Sequence, residues 1–106
     1  MNPQLSPLID QHRAQLRVLC DQFGVERLEL FGSGTGADFN PDTSDLDFIV
    51  QMRNPLQAGY ARRFCGFADA LEQLFGRRVD LLTEAMIRNP VFKAHVDQSR
   101  ELVVGQ

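Results

Sequence analysis

Residues 28–50, which read LELFGSGTGADFNPDTSDLDFIV, constrain the fold of this chain more than any other segment. A first apolar run ends abruptly at Gly32-Ser33, and a connection of mostly small, polar or breaker residues follows. A second apolar run then begins around Asp45 and Asp47. Because strand side chains alternate between two faces, these two carboxylates share one side of the second run. The pattern predicts a strand, a turn large enough for a phosphate group, and a second strand.

Three aspartates are the candidate metal ligands of this sequence. Asp45 and Asp47 would stand roughly 6.6 Å apart along a strand, a spacing that metal ions can bridge. Asp80 is the single acid in the short apolar strand VDLL, where a carboxylate is uncommon unless it is paired or bound to metal. The alternative is an ion pair with Arg77 or Arg78. Arg77 has the wrong strand parity for that pair and Arg78 lies at the strand's edge, so we favour a functional role for Asp80.

The spacing of Gly32-Ser33 and the Asp45-x-Asp47 motif resembles the signature of the nucleotidyltransferase superfamily that includes DNA polymerase beta. The short length points to its smallest branch, the minimal nucleotidyltransferases that are paired with HEPN-type toxins in prokaryotic toxin–antitoxin modules. That branch carries its third metal-binding aspartate in a setting similar to that of Asp80. The resemblance implies an α/β (α+β) nucleotidyltransferase fold, in which a small mixed β-sheet carries helices mainly on one face.

The resemblance also implies a chemistry for these residues. Asp45, Asp47 and Asp80 would be the catalytic residues and would hold two metal ions, and Mg²⁺ is expected because all the ligands are hard oxygens. Gly32 and Ser33 would bind the phosphates of a nucleoside triphosphate. The implied activity is transfer of AMP from ATP to a tyrosine hydroxyl of a partner HEPN-type toxin, which would make this protein an antitoxin.

The residues after Ser33 depart from the pattern of this family. Where the family usually has a run similar to GSRARG, Gly34 and Gly36 replace both arginines. Two glycines lower helix propensity by roughly 1 kcal/mol each, so we expect a looser helix with fewer positive charges near the phosphates. An arginine of the partner, or Arg62 or Arg63 of this chain, would compensate for that loss.

The missing arginines keep two alternatives open. The first is a non-catalytic antitoxin that neutralises its toxin by binding alone. The second is a transferase that acts on a small-molecule hydroxyl, although a chain of 106 residues has no room for a separate substrate domain. The sequence contains no GxxxxGK[ST] motif, which excludes a P-loop nucleotidase.

Length and composition limit the remaining possibilities. We expect one domain over residues 1–106. The net charge of −3 argues against a general nucleic-acid-binding surface. Without a signal peptide or an apolar run of membrane-spanning length, the expected location is the cytoplasm, with no membrane contact. Cys20 and Cys65 fall on apolar helical faces and are expected to be buried free thiols.

Local signals divide the rest of the chain into elements. Gly24 and Gly76 are expected to end two amphipathic helices, and Asn89-Pro90 is a cap-plus-proline signal that begins a third. Val91 and Phe92 are expected on the apolar side of that third helix. Glu29 shares strand parity with Phe31 and Ser33, so it is either another acid near the site or, as we favour, a surface residue of the first strand. The predicted strands are Val25–Phe31, residues 44–50, Val79–Leu82 and residues 102–104.

Overall fold

A four-stranded mixed sheet organises the computed structural model, which describes residues 9–31, 45–54 and 56–105. In space the strands run in the order β3-β2-β1-β4. β1 is antiparallel to both β2 and β4, whereas β2 and β3 are parallel, so the predicted mixed sheet is confirmed. The strands are β1 (Val25–Phe31), β2 (Leu46–Met52), β3 (Val79–Leu82) and β4 (Glu101–Val104).

The helices begin and end close to where local signals predict. The described helices are α1 (Arg13–Phe23), α2 (Tyr60–Phe75) and α3 (Pro90–Ser99), with a 3-10 turn at Glu84–Met86. Gly24 and Gly76 end α1 and α2 with φ angles of 70° and 64°, a left-handed conformation that glycine adopts without steric cost. The side-chain oxygen of Asn89 accepts hydrogen bonds from the amides of Val91 and Phe92, which confirms the predicted cap of α3.

One face of the sheet carries the larger of two hydrophobic clusters. Side chains of paired residues on neighbouring strands point to the same side, so Leu30 and its partner Phe48 mark this face. The two longest described helices, α1 and α2, pack against it, as expected for helices mainly on one face. Its most deeply buried members are Ile9, Leu16, Leu28, Leu30, Leu46, Phe48, Phe67 and Leu71.

The opposite face carries a smaller cluster under the 3-10 turn and α3. Phe31, Ile49, Ile87 and Val96 are its buried members. Asp47 is the cross-strand partner of Phe31 and therefore lies on this second face. The candidate carboxylate of β2 thus faces away from α1 and α2. No helix within the described ranges is both long enough and apolar enough to cross a membrane.

Glu29 is not the surface residue that the sequence suggested. It lies on the second face with only 6% of its surface exposed. Arg100 donates to its two carboxylate oxygens at 2.8 and 3.0 Å, and Arg27 lies 3.2 Å away. The hydrogen bond from Arg100 is the main reason that the pKa of Glu29 is lowered from its ordinary value. A buried ion pair therefore replaces the expected solvated acid.

Two further expectations about burial are corrected. Cys20 is buried, and burial raises its thiol pKa to about 11, but Cys65 is exposed on α2 and is not a core residue. On α3 the buried residue is Val96, whereas Val91 and Phe92 are exposed. The first turn of α3 therefore presents apolar side chains to solvent on the second face of the sheet.

Candidate active site

Two of the three predicted aspartates meet on neighbouring strands. β2 and β3 run parallel in a register that makes Asp47 the direct partner of Asp80. Hydrogen-bonding and charge effects of Asp80 are among the causes that raise the pKa of Asp47, so the two carboxyl groups lie close together. The period-two alternation of each strand places both on the same face of the sheet. The structure thus places Asp47 and Asp80 on adjacent strands, whereas Asp45 precedes β2.

The two members of this pair have different surroundings. Asp47 is half-buried and Asp80 is exposed at the edge strand. Burial is the largest cause of a raised Asp47 pKa, which reaches about 6, and the hydrogen bond and charge of Asp80 and the charge of Asp45 add to it. Two ionised carboxylates this close repel each other, and a bound cation would offset that repulsion. Asp80 itself is not embedded in apolar surroundings, contrary to what VDLL suggested.

Asp45 lies close to this pair without joining it. It immediately precedes β2 and its side chain is exposed, although its charge contributes to the raised pKa of Asp47. Across residues 9–31, 45–54 and 56–105, no three histidine, cysteine, aspartate or glutamate side chains converge as a metal site. The structure therefore brings Asp47 and Asp80 together as a pair, and Asp45 stands at the entrance to the strand. Its role as a third ligand stays a prediction.

The predicted phosphate-binding residues, Gly32 and Ser33, lie outside the described part of the chain, as do Gly34 and Gly36. Their neighbour Phe31 is described, and its Cα is paired with that of Asp47. The chain therefore enters the Gly-Ser segment directly beside the candidate carboxylates. Phosphate binding by Gly32 and Ser33 stays a prediction.

A comparison with known protein families shows to which family a chain with these two acidic strands belongs. The model of the nucleotidyltransferase domain family matches residues 12–103, which include both acidic strands. The chain belongs to the nucleotidyltransferase domain family.

Individual nucleotidyltransferase relatives extend over most of the chain. The protein adenylyltransferase MntA of Thermococcus cleftensis is 27% identical over 90 residues, which are 85% of this chain and 84% of that protein. A solved structure described provisionally as a minimal nucleotidyltransferase has a TM-score of 0.68 and 28% identity, with 95% of both chains covered.

A third comparison adds a complex with the same fold. It contains a tri-AMPylated HEPN toxin of Shewanella oneidensis together with an MNT antitoxin. This structure has a TM-score of 0.61 and 17% identity, and covers 92% of this chain and 73% of the matched chain. At this identity the likeness shows a shared fold.

The carboxylates of this nucleotidyltransferase domain fit a divalent cation. Asp47 and Asp80 lie opposite each other on two neighbouring strands, and a cation between them would reduce the charge repulsion that contributes to the raised Asp47 pKa. All the candidate ligands are carboxylate oxygens, which are the donors that Mg²⁺ prefers. Asp45 is exposed, so its side chain is accessible to a cation bound by Asp47.

Arg63 does not supply a replacement for the missing arginines. Its guanidinium donates to the backbone carbonyls of Arg53 and Asn54 at 3.0 and 3.1 Å. Those residues follow the end of β2 that is remote from Asp47, roughly 17 Å along the strand. Arg63 therefore stabilises the connection between β2 and α2. Compensation by Arg62, which is exposed on α2, stays a prediction.

The contact of Phe92 with Phe31, the cross-strand partner of Asp47, was not indicated by any sequence pattern. Its ring centroid is 6.1 Å from that of Phe31 in an edge-to-face arrangement, and 41% of Phe92 remains exposed. The cap at Asn89 fixes Phe92 in the first turn of α3, but a helix cap does not reveal which strand the helix will contact. The apolar pattern of α3 pointed instead to an ordinary core position.

Proposed function

We propose that this protein is a Mg²⁺-dependent nucleotidyltransferase that transfers AMP from ATP to a tyrosine hydroxyl of a partner HEPN-type toxin, and so acts as an antitoxin. The pairing of Asp47 with Asp80 on adjacent parallel strands of a nucleotidyltransferase domain carries this proposal. The relatives support the choice of group and acceptor, since one is named protein adenylyltransferase and one complex contains an AMPylated HEPN toxin.

The proposed site has two groups of residues. Asp45, Asp47 and Asp80 hold two Mg²⁺ ions, which when bound neutralise charge on the triphosphate and on the attacking and leaving oxygens. Gly32 allows the backbone to approach the phosphates closely, and the hydroxyl of Ser33 donates a hydrogen bond to them. The pairing of Phe31 with Asp47 supports this division, because it brings the start of the Gly-Ser segment beside the carboxylates.

The reaction is a displacement at the α-phosphorus of ATP. The acceptor oxygen forms a bond to that phosphorus, and the bond from the phosphorus to the oxygen bridging the α- and β-phosphates breaks. Pyrophosphate leaves with the electron pair, and the hydroxyl proton passes to the carboxylate of Asp80. Asp80 lies exposed on an edge strand, where a hydroxyl carried by a second protein has access to it.

We further propose that residues 1–106 form a single domain that acts in the cytoplasm, where ATP and a toxin partner are available.

Release of pyrophosphate tests the proposed transferase activity. This protein, its HEPN partner, ATP and Mg²⁺ should produce pyrophosphate, and omission of the partner or of Mg²⁺ should stop production. Asp47→Asn should abolish release, whereas Asp69→Asn, which changes an exposed acid of α2, should not. Equal release by both variants would refute the assignment of the site.

One observation favours a second candidate, an antitoxin that neutralises its toxin without catalysis. The described residues contain no converged group of three metal-binding side chains, and a binding protein would not need one. The two candidates predict different behaviour of the Asp47→Asn variant. A binding antitoxin would still neutralise its toxin, with no pyrophosphate formed, whereas the enzyme would lose both properties.

A further inference from the structure

An exposed aromatic ring on the second face of the sheet contacts the cross-strand partner of Asp47. Phe92 lies in the first turn of α3, with its ring centroid 6.1 Å from that of Phe31 and with 41% of its surface exposed. Phe31 itself is buried, with 5% exposure, and supports Phe92 from below. A large apolar ring that is held by a buried neighbour yet open to solvent offers a surface on which a planar ligand can stack.

Phe31 connects this ring to the candidate site. Phe31 and Asp47 are cross-strand partners, so their Cβ atoms lie about 5 Å apart on the same face. Phe92 contacts Phe31, so its ring is the next aromatic surface beyond the cross-strand partner of Asp47. A nucleotide whose phosphates lie at Asp47 would therefore have an aromatic ring nearby on the same face.

The order of the strands separates the nucleotide from the acceptor. Asp80 lies on β3 on one side of β2, whereas Phe31 belongs to β1 on the other side. Phe92 contacts Phe31 and therefore lies on the β1 side. The acceptor hydroxyl, which must approach Asp80, belongs to the opposite side. A ring on the β1 side is thus placed to contact the nucleotide.

We propose that Phe92 is a nucleotide-binding residue, whose ring stacks on the base of the bound nucleoside triphosphate. This inference rests on the proposed function and adds the group that binds the base. Stacking on an aromatic ring is tolerant of base identity because every base has a π-face. Phe92 should therefore increase affinity for ATP and for GTP alike.

Comparing ATP with inorganic tripolyphosphate, which has no base, tests the proposal. Binding of each to the full chain is measured by titration calorimetry with Mg²⁺ and without any acceptor. Phe92→Ala should weaken ATP binding about tenfold, within the range found when stacked aromatic residues are replaced by alanine. Tripolyphosphate binding should not change. Phe92→Tyr should restore ATP affinity, and Val91→Ala, which truncates the exposed neighbouring side chain, should bind as the wild type does.

A leucine variant separates stacking from packing. Phe92→Leu keeps apolar bulk against Phe31, so the fold should be retained and ATP binding should still weaken, because leucine has no π-face. Equal weakening of ATP and tripolyphosphate binding in Phe92→Leu would refute the proposal. Unchanged ATP affinity with slower transfer would refute it as well and would assign the ring to the acceptor. If neither the wild type nor Asp47→Asn binds ATP or tripolyphosphate, the proposed function itself is refuted together with the stacking.

Discussion

Replacing Asp47 by asparagine should stabilise this protein at neutral pH even though it removes a proposed catalytic group. Burial and the neighbouring acids raise the Asp47 pKa from an ordinary value of 3.8 to about 6. The folded state therefore binds this proton more tightly than the unfolded state does. The contribution of Asp47 to stability is highest below its ordinary pKa and is lost as pH rises through the folded pKa.

The magnitude follows from the two pKa values. A difference of about two units corresponds to roughly 3 kcal/mol once both states are ionised. Asp47 is only half-buried, so solvent screens part of this effect. The asparagine side chain carries no charge and can still donate a hydrogen bond to Asp80, so Asp47→Asn should recover about 1–2 kcal/mol at pH 7.5. For a chain of this length that is a rise in Tm of roughly 4–10 °C. At pH 4 the gain should fall below about 0.5 kcal/mol, because Asp47 is already protonated in the folded wild type.

Thermal unfolding followed by circular dichroism measures this effect, in EDTA so that no cation compensates for the charge. Asp69→Asn, which removes an exposed acid from α2, is the matched control and should change Tm by little at either pH. A Tm for Asp47→Asn that is unchanged or lower at pH 7.5 would refute the reasoning. So would an increase of the same size at pH 4.

Three further predictions concern stability and ligand binding. Arg100→Ala should lower the free energy of unfolding, measured in urea, by about 3 kcal/mol, because Glu29 would lose the stronger of its partners while staying buried. The control Arg88→Ala, at an exposed position, should lower it little. Asn89→Ala should lower the free energy of unfolding by about 1 kcal/mol because it removes the cap of α3. Asn89→Asp should leave it nearly unchanged, because aspartate also caps helices. Millimolar Mg²⁺ should raise the Tm of the wild type, and ATP should increase this rise. Asp45→Asn should abolish the rise. An equal rise in both proteins would exclude Asp45 as a ligand.

Features of the fold that depend on neighbouring residues were predictable from the sequence. Gly24, Gly76 and Asn89 act within a few residues, so each helix end could be located without knowledge of the whole structure. The strand period of two also placed Asp47 on the face away from Leu46, Phe48 and Val50 of β2. The pairing of Asp47 with Asp80 followed because both are the acids of short apolar strands that join one sheet.

Features that depend on distant partners were not predictable in the same way. Glu29 is buried because Arg100, 71 residues later in the chain, supplies its counter-charge, and no local pattern links the two. Asp80 is exposed because β3 is an edge strand, and strand order cannot be read from four residues. Phe92 lies beside Phe31 because of how α3 crosses the sheet. In each case tertiary placement decided what the local sequence left open.

The most direct test of the proposed function is the intact mass of the HEPN partner after incubation with this protein, ATP and Mg²⁺. The partner should gain the mass of one or more AMP groups on tyrosine and lose its toxic activity in parallel. Asp45→Asn and Asp47→Asn should each prevent both changes, while Asp69→Asn should permit them. A toxin that is neutralised equally by all these variants, with no gain in mass, would contradict nucleotidyl transfer and show that binding alone suffices.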